Sequence, residues 1–94
     1  MLFTKKIKEL RIQNQMPQRQ IAAALGIDTA TYCKIEKGER IAKKGQIAIL
    51  SDMFNVEMKD LLTLWLADKV TNVVSDEHII ASEALSMAAE NLKK

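Results

Sequence analysis

The sequence predicts an all-α fold, and three observations carry that prediction. Apolar residues recur at intervals of three and four along most of the chain, which is the spacing that places them on one face of a helix. The 94 residues include only three glycines and one proline, so few positions interrupt this pattern. No segment shows the strict alternation of apolar and polar residues that is typical of a half-buried strand. A chain of this length forms one domain, or a compact core with an extension.

The first predicted helix spans residues 4–15. Ile7 and Leu10 lie three residues apart and face inward, together with the aliphatic stem of Arg11. Thr4 stands where a hydroxyl can cap the N-terminus of this helix. The residues at the start of the chain are charged helical sequence, and no apolar signal-peptide core follows them.

Residues 17–25 and 28–37 are predicted to form two short helices joined by a tight turn at Gly26. A glycine after the last apolar residue of a helix takes the left-handed conformation that ends it. Asp28 is a good N-cap for the next helix, because its carboxylate accepts backbone N–H groups, and Gly38 ends that helix. Two helices joined in this way cross steeply, which leaves the second on the outer surface where it can enter the major groove of DNA. An ordinary helical hairpin in a small bundle is the alternative.

The helix over residues 28–37 has two chemically different sides. Tyr32 and Ile35 lie three residues apart and are expected to point inward. The residues that remain on the outer side are Thr29, Ala30, Thr31 and Lys34.

The positive charge of the chain is concentrated in its first half. Residues 1–44 hold ten Lys and Arg against four Asp and Glu, a balance of +6, whereas residues 45–94 hold four against eight, a balance of −4. In the first half, the loop after Gly38 and its flanks carry Lys37, Arg40, Lys43 and Lys44. Because lysine and arginine supply the phosphate contacts of DNA-binding proteins, this asymmetry favours a polyanionic partner. A solvated basic face is the alternative.

Three further helices are predicted in the rest of the chain. They span residues 44–54, from 57 or 58 to 74, and 76–92. Asn55 and Val56 form the break before the second of these helices, and Ser75 with Asp76 caps the third. Gly45 lies in the first turn of the helix over 44–54, where a glycine is mildly unfavourable, so the start of that helix is expected to be weakly stabilised.

The helix that starts at residue 57 or 58 is apolar on nearly every side between residues 61 and 66, so it must be buried on more than one face. One face packs on the core of the domain, and the other needs the last helix or a second subunit. We expect a homodimer, because proteins that read DNA with a helix usually bind two half-sites through two-fold pairing. The expected interface residues are Leu64, Trp65, Val70, Val73, Ile80 and Leu85. Packing of the last helix on its predecessor within one chain is the alternative.

Residues 5–66 resemble the phage-repressor or Xre-type helix-turn-helix family. The matching segments are IKELR at 7–11, MPQRQIA at 16–22, LGI at 25–27, IEKGER at 35–40 and LL at 61–62. The resemblance implies a five-helix DNA-binding domain, here over residues 1–66, and leaves residues 67–94 as an added C-terminal helical extension for dimerisation. The chain departs from the family at Pro17, where relatives carry a Ser or Thr N-cap, and at 42–45, where a Pro-Ser often precedes the fourth helix.

The resemblance also implies roles for individual residues. In the family, the glutamine that starts the second helix binds a phosphate and braces the recognition helix, and Gln18 occupies that position. The base-reading positions fall on Thr29, Ala30 and Lys34, with Thr31 nearby. Glu36 matches a glutamate that is structural in relatives. The expected phosphate-binding residues are Gln18, Arg19, Lys37, Arg40, Lys43 and Lys44.

These features predict a sequence-specific DNA-binding transcriptional regulator of prokaryotic or phage type, which binds an inverted repeat in double-stranded DNA as a dimer. Specificity per half-site is expected to be modest, because Thr and Ala contact a thymine methyl group or one base edge and Lys34 reaches a guanine. The alternative is a protein-interaction module, such as an antitoxin or antirepressor, that uses the same fold.

The sequence offers little material for catalysis, a cofactor or a metal site. His78 is the only histidine and Cys33 the only cysteine, and no Gly-rich phosphate loop, paired-cysteine motif or nucleophile elbow occurs. We therefore expect no enzymatic activity and no small-molecule substrate. A lone cysteine suits a reducing compartment, and no stretch approaches the roughly 20 consecutive apolar residues of a membrane span. We expect a cytoplasmic protein that does not enter the membrane.

Overall fold

Six α-helices make up the computed structural model, which describes residues 1–93 of the chain. They are α1 (Leu2–Gln13), α2 (Gln18–Leu25), α3 (Thr29–Glu36), α4 (Lys44–Phe54), α5 (Met58–Val74) and α6 (Ala81–Leu92). No strand occurs in residues 1–93. The predicted all-α fold is confirmed, and α2 to α5 begin and end within one residue of their predicted positions. No helix in this part of the chain is long and apolar enough to cross a membrane.

The hydrophobic core is built from one face of each of the first five helices. Its buried residues are Phe3, Ile7, Leu10, Ile21, Ala22, Leu25, Tyr32, Ile35, Ala42, Ile47, Leu50, Phe54 and Leu61. α1 packs against α3, α4 and α5, while α2 packs against α3 and α4. Leu61 is the last apolar residue of α5 that is buried. The part of α5 beyond Asp68 and all of α6 contribute no buried residue.

The N-terminus of α1 differs from the prediction. The helix begins at Leu2, two residues early, and Thr4 does not cap it, since its hydroxyl donates to the backbone oxygen of Met1 at 3.3 Å. The capping group is the carboxylate of Asp68 on α5, which accepts from the backbone N–H groups of Leu2 and Phe3, both at 2.9 Å. Asp68 is buried, so this carboxylate satisfies two donors that would otherwise lack a partner inside the protein.

The last helix also differs from the prediction, because residues 75–80 form turns and α6 begins at Ala81. The predicted cap at Ser75 and Asp76 is wrong. Ser75 is the C-cap of α5, and its hydroxyl donates back to the oxygen of Asn72 at 3.0 Å. No residue of α6 is buried, and the helix does not pack extensively against α1 to α5. The alternative in which α6 covers α5 within the chain is therefore not what the structure shows.

Candidate nucleic-acid interface

The turn between α2 and α3 has the predicted glycine geometry. Gly26 has a φ of +71°, in the left-handed region, and its N–H donates to the oxygen of Ala23 at 3.1 Å. The next N–H, from Ile27, donates to the oxygen of Ala22 at 3.0 Å. Two carbonyl groups at the end of α2 are thus satisfied, and the side chain of Ile27 packs against the core. This turn fixes the direction in which α3 leaves α2.

The first turn of α3 is capped by Asp28, as predicted. One carboxylate oxygen of Asp28 accepts from the backbone N–H of Thr31 at 2.6 Å. Hydrogen bonding from Thr31 lowers the pKa of Asp28, and the positive charges of Lys34 and Arg40 act in the same direction. The N-terminus of α3 therefore carries the negative charge of Asp28, and the charges of Lys34 and Arg40 act on that carboxylate.

The two sides of α3 are divided as the sequence predicts. Tyr32 and Ile35 are buried in the core. Thr29, Ala30 and Lys34 are exposed, and Thr31 is half-buried. Because the apolar side of α3 is fully occupied by the core, its opposite side is free to meet a ligand.

A buried ion pair fixes the C-terminal end of α3 to α1. The guanidinium of Arg11 donates to both carboxylate oxygens of Glu36, from Nε at 2.9 Å and from Nη2 at 2.8 Å. Its third contact is a hydrogen bond from Nη1 to the backbone oxygen of Met16 at 3.1 Å. The side chains of Arg11 and Glu36 are only 15% and 3% exposed. Arg11 thereby ties α1, the turn before α2 and α3 together in a bidentate geometry.

This ion pair also shapes the electrostatics of the site. Burial is the largest single influence on the pKa of Glu36 and raises it, but Arg11, Tyr32 and Gln18 together outweigh burial, so the pKa of Glu36 lies below its ordinary value. The hydrogen bond to Glu36 in turn raises the pKa of Arg11. Glu36 is thus an ionised structural anchor and not an exposed contact residue, in agreement with the role expected for it.

Gln18, at the start of α2, is in contact with the same anchor. Its Nε2 donates to Oε1 of Glu36 at 3.4 Å, a long hydrogen bond, and the side chain is half-buried. Pro17 occupies the N-cap position with an extended backbone and provides no side-chain cap. The carbonyl oxygen of the Gln18 amide is not engaged with Glu36, and the neighbouring Arg19 is exposed. Gln18 therefore links the start of α2 to the end of α3, as a bracing residue must.

The basic loop, residues 37–44, is anchored at its centre. Ala42 is buried, and its backbone oxygen accepts a hydrogen bond of 2.8 Å from Nε1 of Trp65 on α5. At the end of the loop, the backbone N–H of Lys43 donates to the side-chain oxygen of Gln46 at 2.8 Å, which secures the start of α4 in spite of Gly45. The basic residues of the loop are all exposed: Lys37, Arg40, Lys43 and Lys44. An anchored backbone thus presents four exposed cationic side chains to solvent.

The structure brings some of the expected contact residues close together. The backbone N–H of Arg40 donates to the oxygen of Lys34 at 3.3 Å, and that of Glu39 donates to the same oxygen at 2.9 Å. The loop therefore folds back on the last turn of α3, next to the outward side of that helix. Gln18 approaches the same end of α3 through Glu36, whereas Arg19 is exposed and makes no hydrogen bond or ion pair with α3 within residues 1–93.

The expected dimer residues fall into two groups. Leu64 and Trp65 pack partly against the core of their own chain, and Lys69 lies over the Trp65 ring at 4.0 Å from its centroid. The others have no such packing and are exposed: Val70, Val73, Ile80 and Leu85. Surface for a second subunit therefore remains on the distal part of α5 and on α6.

Sequence reasoning missed two residues that hold the helices in place. Arg11 was expected to contribute only its aliphatic stem, but its charged head holds Glu36. The sequence does carry a signal for Asp68: it follows Leu61 and Trp65 at helical spacing, so a carboxylate stands at a core-facing position of α5. A charged residue on an apolar face indicates a buried partner. In residues 1–93, no cluster of three or more His, Cys, Asp or Glu side chains could hold a metal ion.

Known proteins resemble this chain in sequence. Residues 7–61, more than half of the chain, match the family model described as "Helix-turn-helix". A curated relative is the cryptic phage CTXphi transcriptional repressor RstR of Vibrio cholerae, which is 28% identical over 72 residues. The aligned region covers 77% of this chain and 61% of that relative. No solved structure gives a significant match.

Proposed function

We infer, because this chain belongs to the helix-turn-helix family, that it is a sequence-specific DNA-binding transcriptional regulator that acts without catalysis. In this proposal α3 enters the major groove of DNA, and the chain occupies an inverted repeat as a homodimer. The relative from Vibrio cholerae is named a transcriptional repressor. Repression by occupying a promoter is accordingly the mode of action that we propose here, and a cytoplasmic location fits it.

One observation carries the proposal: the start, the inward side and the end of α3 are each held in place, while its outward side is exposed. Gly26 and Asp28 fix its start, the core holds Tyr32, and the Arg11–Glu36 pair fixes its end. A helix held in this way is preorganised for docking, so little conformational entropy is lost on binding. The outward residues are small or flexible, which allows the helix backbone to come close to the base edges.

The proposed division of labour follows from the exposed side chains. Thr29, Ala30 and Thr31 contact thymine methyl groups or single base edges, and Lys34 donates to guanine. The phosphate contacts come from Gln18 and Arg19 on one side and from the basic loop on the other. Because these contacts release counterions, affinity should fall steeply as salt rises.

Pairing of two chains supplies the specificity that a single reading helix lacks. The exposed apolar residues of distal α5 and of α6 support pairing there, and Leu64 and Trp65 flank this surface while packing partly on their own core. Two α3 helices related by a two-fold axis would meet successive major grooves about 34–36 Å apart. A dimer therefore reads two weakly specified half-sites and the spacing between them.

The proposal can be tested by fluorescence anisotropy with labelled duplexes of random and selected sequence, titrated over a range of salt concentrations. Lys34→Ala is expected to reduce discrimination between the two duplexes by about 1–3 kcal/mol. Arg40→Ala is expected to weaken binding to both duplexes alike and to reduce the salt slope by about one unit.

Lys59→Ala is the matched control, since Lys59 is an exposed lysine in the acidic half of the chain. It should leave affinity and salt slope nearly unchanged. The proposal fails if the wild-type chain does not bind DNA at low salt, or if Lys34→Ala and Arg40→Ala combined leave binding unaffected. Absence of DNA binding together with co-purification of a stable protein partner would instead favour the interaction module.

A further inference from the structure

The apolar side of α6 is uncovered in the single chain. None of the 12 residues of α6 is buried: Leu92 is 84% exposed, Leu85 is 40% exposed, and Ala81 is half-buried. An isolated helix of this length is only marginally stable in water, since tertiary packing supplies most helical stability. A stable α6 therefore needs a surface outside its own chain to pack on.

The residues on this side follow a coiled-coil spacing. Ala81, Leu85, Ala88 and Leu92 are separated by four, three and four residues, and they form one stripe in which alanine and leucine alternate. The flanking positions of the stripe are uncharged, being Ser82, Ala84, Ala89 and Asn91. Glu83 and Glu90 lie on the opposite side of the helix. Covering the stripe thus requires no charge to be desolvated.

We propose that this stripe pairs with the same stripe of a second copy of the chain, and that the two α6 helices run antiparallel. In the register we assign, Leu85 of each copy packs against Ala88 of the other, and Leu92 packs against Ala81. Every layer of the pair then joins one large and one small side chain, which allows uniform, close packing. The inference rests on the proposed dimer and specifies where and how its chains meet.

A parallel pair fits the same sequence less well. It would place leucine against leucine and alanine against alanine, so wide and narrow layers would alternate and leave gaps at the alanines. The stripe is therefore complementary to itself only when one of the two helices is reversed.

Charge at the ends of α6 favours the same direction. The turn before α6 carries Asp76 and Glu77, whereas Lys93 follows its last residue. Antiparallel pairing brings the lysine end of each copy to the acidic end of the other and opposes the two helix dipoles. Parallel pairing would bring like charges together. Lys93 also lies 3.9 Å from Glu90 of its own helix, an exposed pair that contributes little.

Cysteine cross-linking of the 94-residue chain tests both the pairing and its direction. The natural cysteine is first removed by Cys33→Ser, and Ala81→Cys and Leu92→Cys are then introduced into separate chains. In the proposed register residue 81 faces residue 92 of the other copy, while two copies of residue 92 are about 16 Å apart, too far for a disulfide. The expected result is a disulfide-linked dimer when the two variants are mixed under mild oxidation, and little cross-linking of either alone.

Each other outcome overturns the inference in a recognisable way. Cross-linking of Leu92→Cys with itself would show parallel pairing. A dimer in sedimentation analysis without the mixed cross-link would place the interface elsewhere and leave the proposed dimer intact. A monomer at all concentrations would contradict the proposed dimer as well. DNA binding is measured separately by anisotropy, so it is tested independently of the dimer.

A matched pair of charge substitutions provides a second readout. Ala88→Glu places a carboxylate in the stripe, whereas Ser86→Glu places the same group in the same helix outside it. We expect Ala88→Glu to raise the dimer dissociation constant at least tenfold and Ser86→Glu to change it less than threefold. Equal effects of the two substitutions would contradict the assigned stripe.

Discussion

At the scale of single residues, the position of α3 depends on the ion pair between Arg11 and Glu36. The two side chains join segments that are 25 residues apart in the sequence, and the pair is largely shielded from water. Breaking a buried pair by removing one partner is costly because the other charge remains without compensation. In the proposed function, Arg11 acts through the placement of α3, and we assign it no contact with DNA.

Arg11→Met is expected to lower the free energy of unfolding by about 3 kcal/mol, near the low end for a buried pair because Arg11 keeps some exposure. Equilibrium urea denaturation measures this loss. Arg19→Ala, which removes an exposed arginine, should change the free energy of unfolding by less than about 0.5 kcal/mol. A loss no larger for Arg11→Met than for Arg19→Ala would contradict the anchoring role of Arg11.

The lowered pKa of Glu36 makes part of the stability dependent on pH. The folded state holds this carboxylate ionised below its ordinary pKa of 4.5, so at low pH the unfolded state binds more protons. The stabilisation is therefore fully present above that value and is lost as the pH falls through the lower pKa of the folded state. In urea denaturation between pH 7 and pH 3, we expect the stability advantage of the wild type over Glu36→Gln to shrink below about pH 4.5. An advantage that stays constant to pH 3 would contradict this expectation.

The residues of the candidate nucleic-acid interface could be predicted from the sequence only in part. The outward side of α3 follows from helical periodicity, and the exposure of the basic loop follows from its charge, so both features could be predicted. The contact between Arg11 and Glu36 was not, because charge and spacing do not show which ions meet across helices. Which bases each outward residue contacts stays a prediction.

At the scale of helices, boundaries fixed by neighbouring residues were predicted well. Gly26 ends α2 and Asp28 caps α3, and both act within three residues along the chain. The start of α1 was predicted wrongly because its cap, Asp68, lies 66 residues away from Leu2. The start of α6 was predicted wrongly because the hydroxyl of Ser75 bonds backward to α5. Local sequence patterns cannot reveal a cap that comes from a distant residue. They also cannot show whether a serine between two helices hydrogen-bonds to the helix before it or to the helix after it.

Asp68→Ala is expected to destabilise the protein by about 1–3 kcal/mol, since two backbone N–H groups of α1 lose their partner. Hydrogen exchange should show the loss first in the opening turns of α1. Asp76→Ala is the matched control, because Asp76 lies in the exposed turn before α6, and it should have little effect. If the two substitutions are equally harmless, Asp68 is not the cap of α1.

The turn between α2 and α3 offers a second matched pair. Gly26→Ala forces a side chain into the left-handed region although no atom lies within 4 Å of the new carbon, so a loss of about 1–2 kcal/mol is expected from the backbone alone. Gly45→Ala, in the first turn of α4 and equally free of neighbours, should instead stabilise by about 0.4–1 kcal/mol. Thermal unfolding distinguishes these opposite signs. A stabilising Gly26→Ala would rule out the left-handed turn.

At the scale of the whole molecule, charge and architecture divide the chain in the same way. The basic first half contains α3 and the loop that folds back on it, and the acidic second half contains the exposed apolar surface of distal α5 and of α6. One half is suited to a polyanion and the other to a second protein surface. In the proposed function, this division allows two copies to pair through α5 and α6 without covering the outward side of α3.

Selection of preferred sites from a random DNA library tests the central claim most directly. The wild-type chain is expected to enrich an inverted repeat whose half-site centres lie about 10–10.5 base pairs apart, or a multiple of that spacing. Lys34→Ala should enrich a repeat with the same spacing but lose discrimination at one position of each half-site. Failure of the wild-type chain to enrich any two-fold symmetric sequence at low salt would contradict the account.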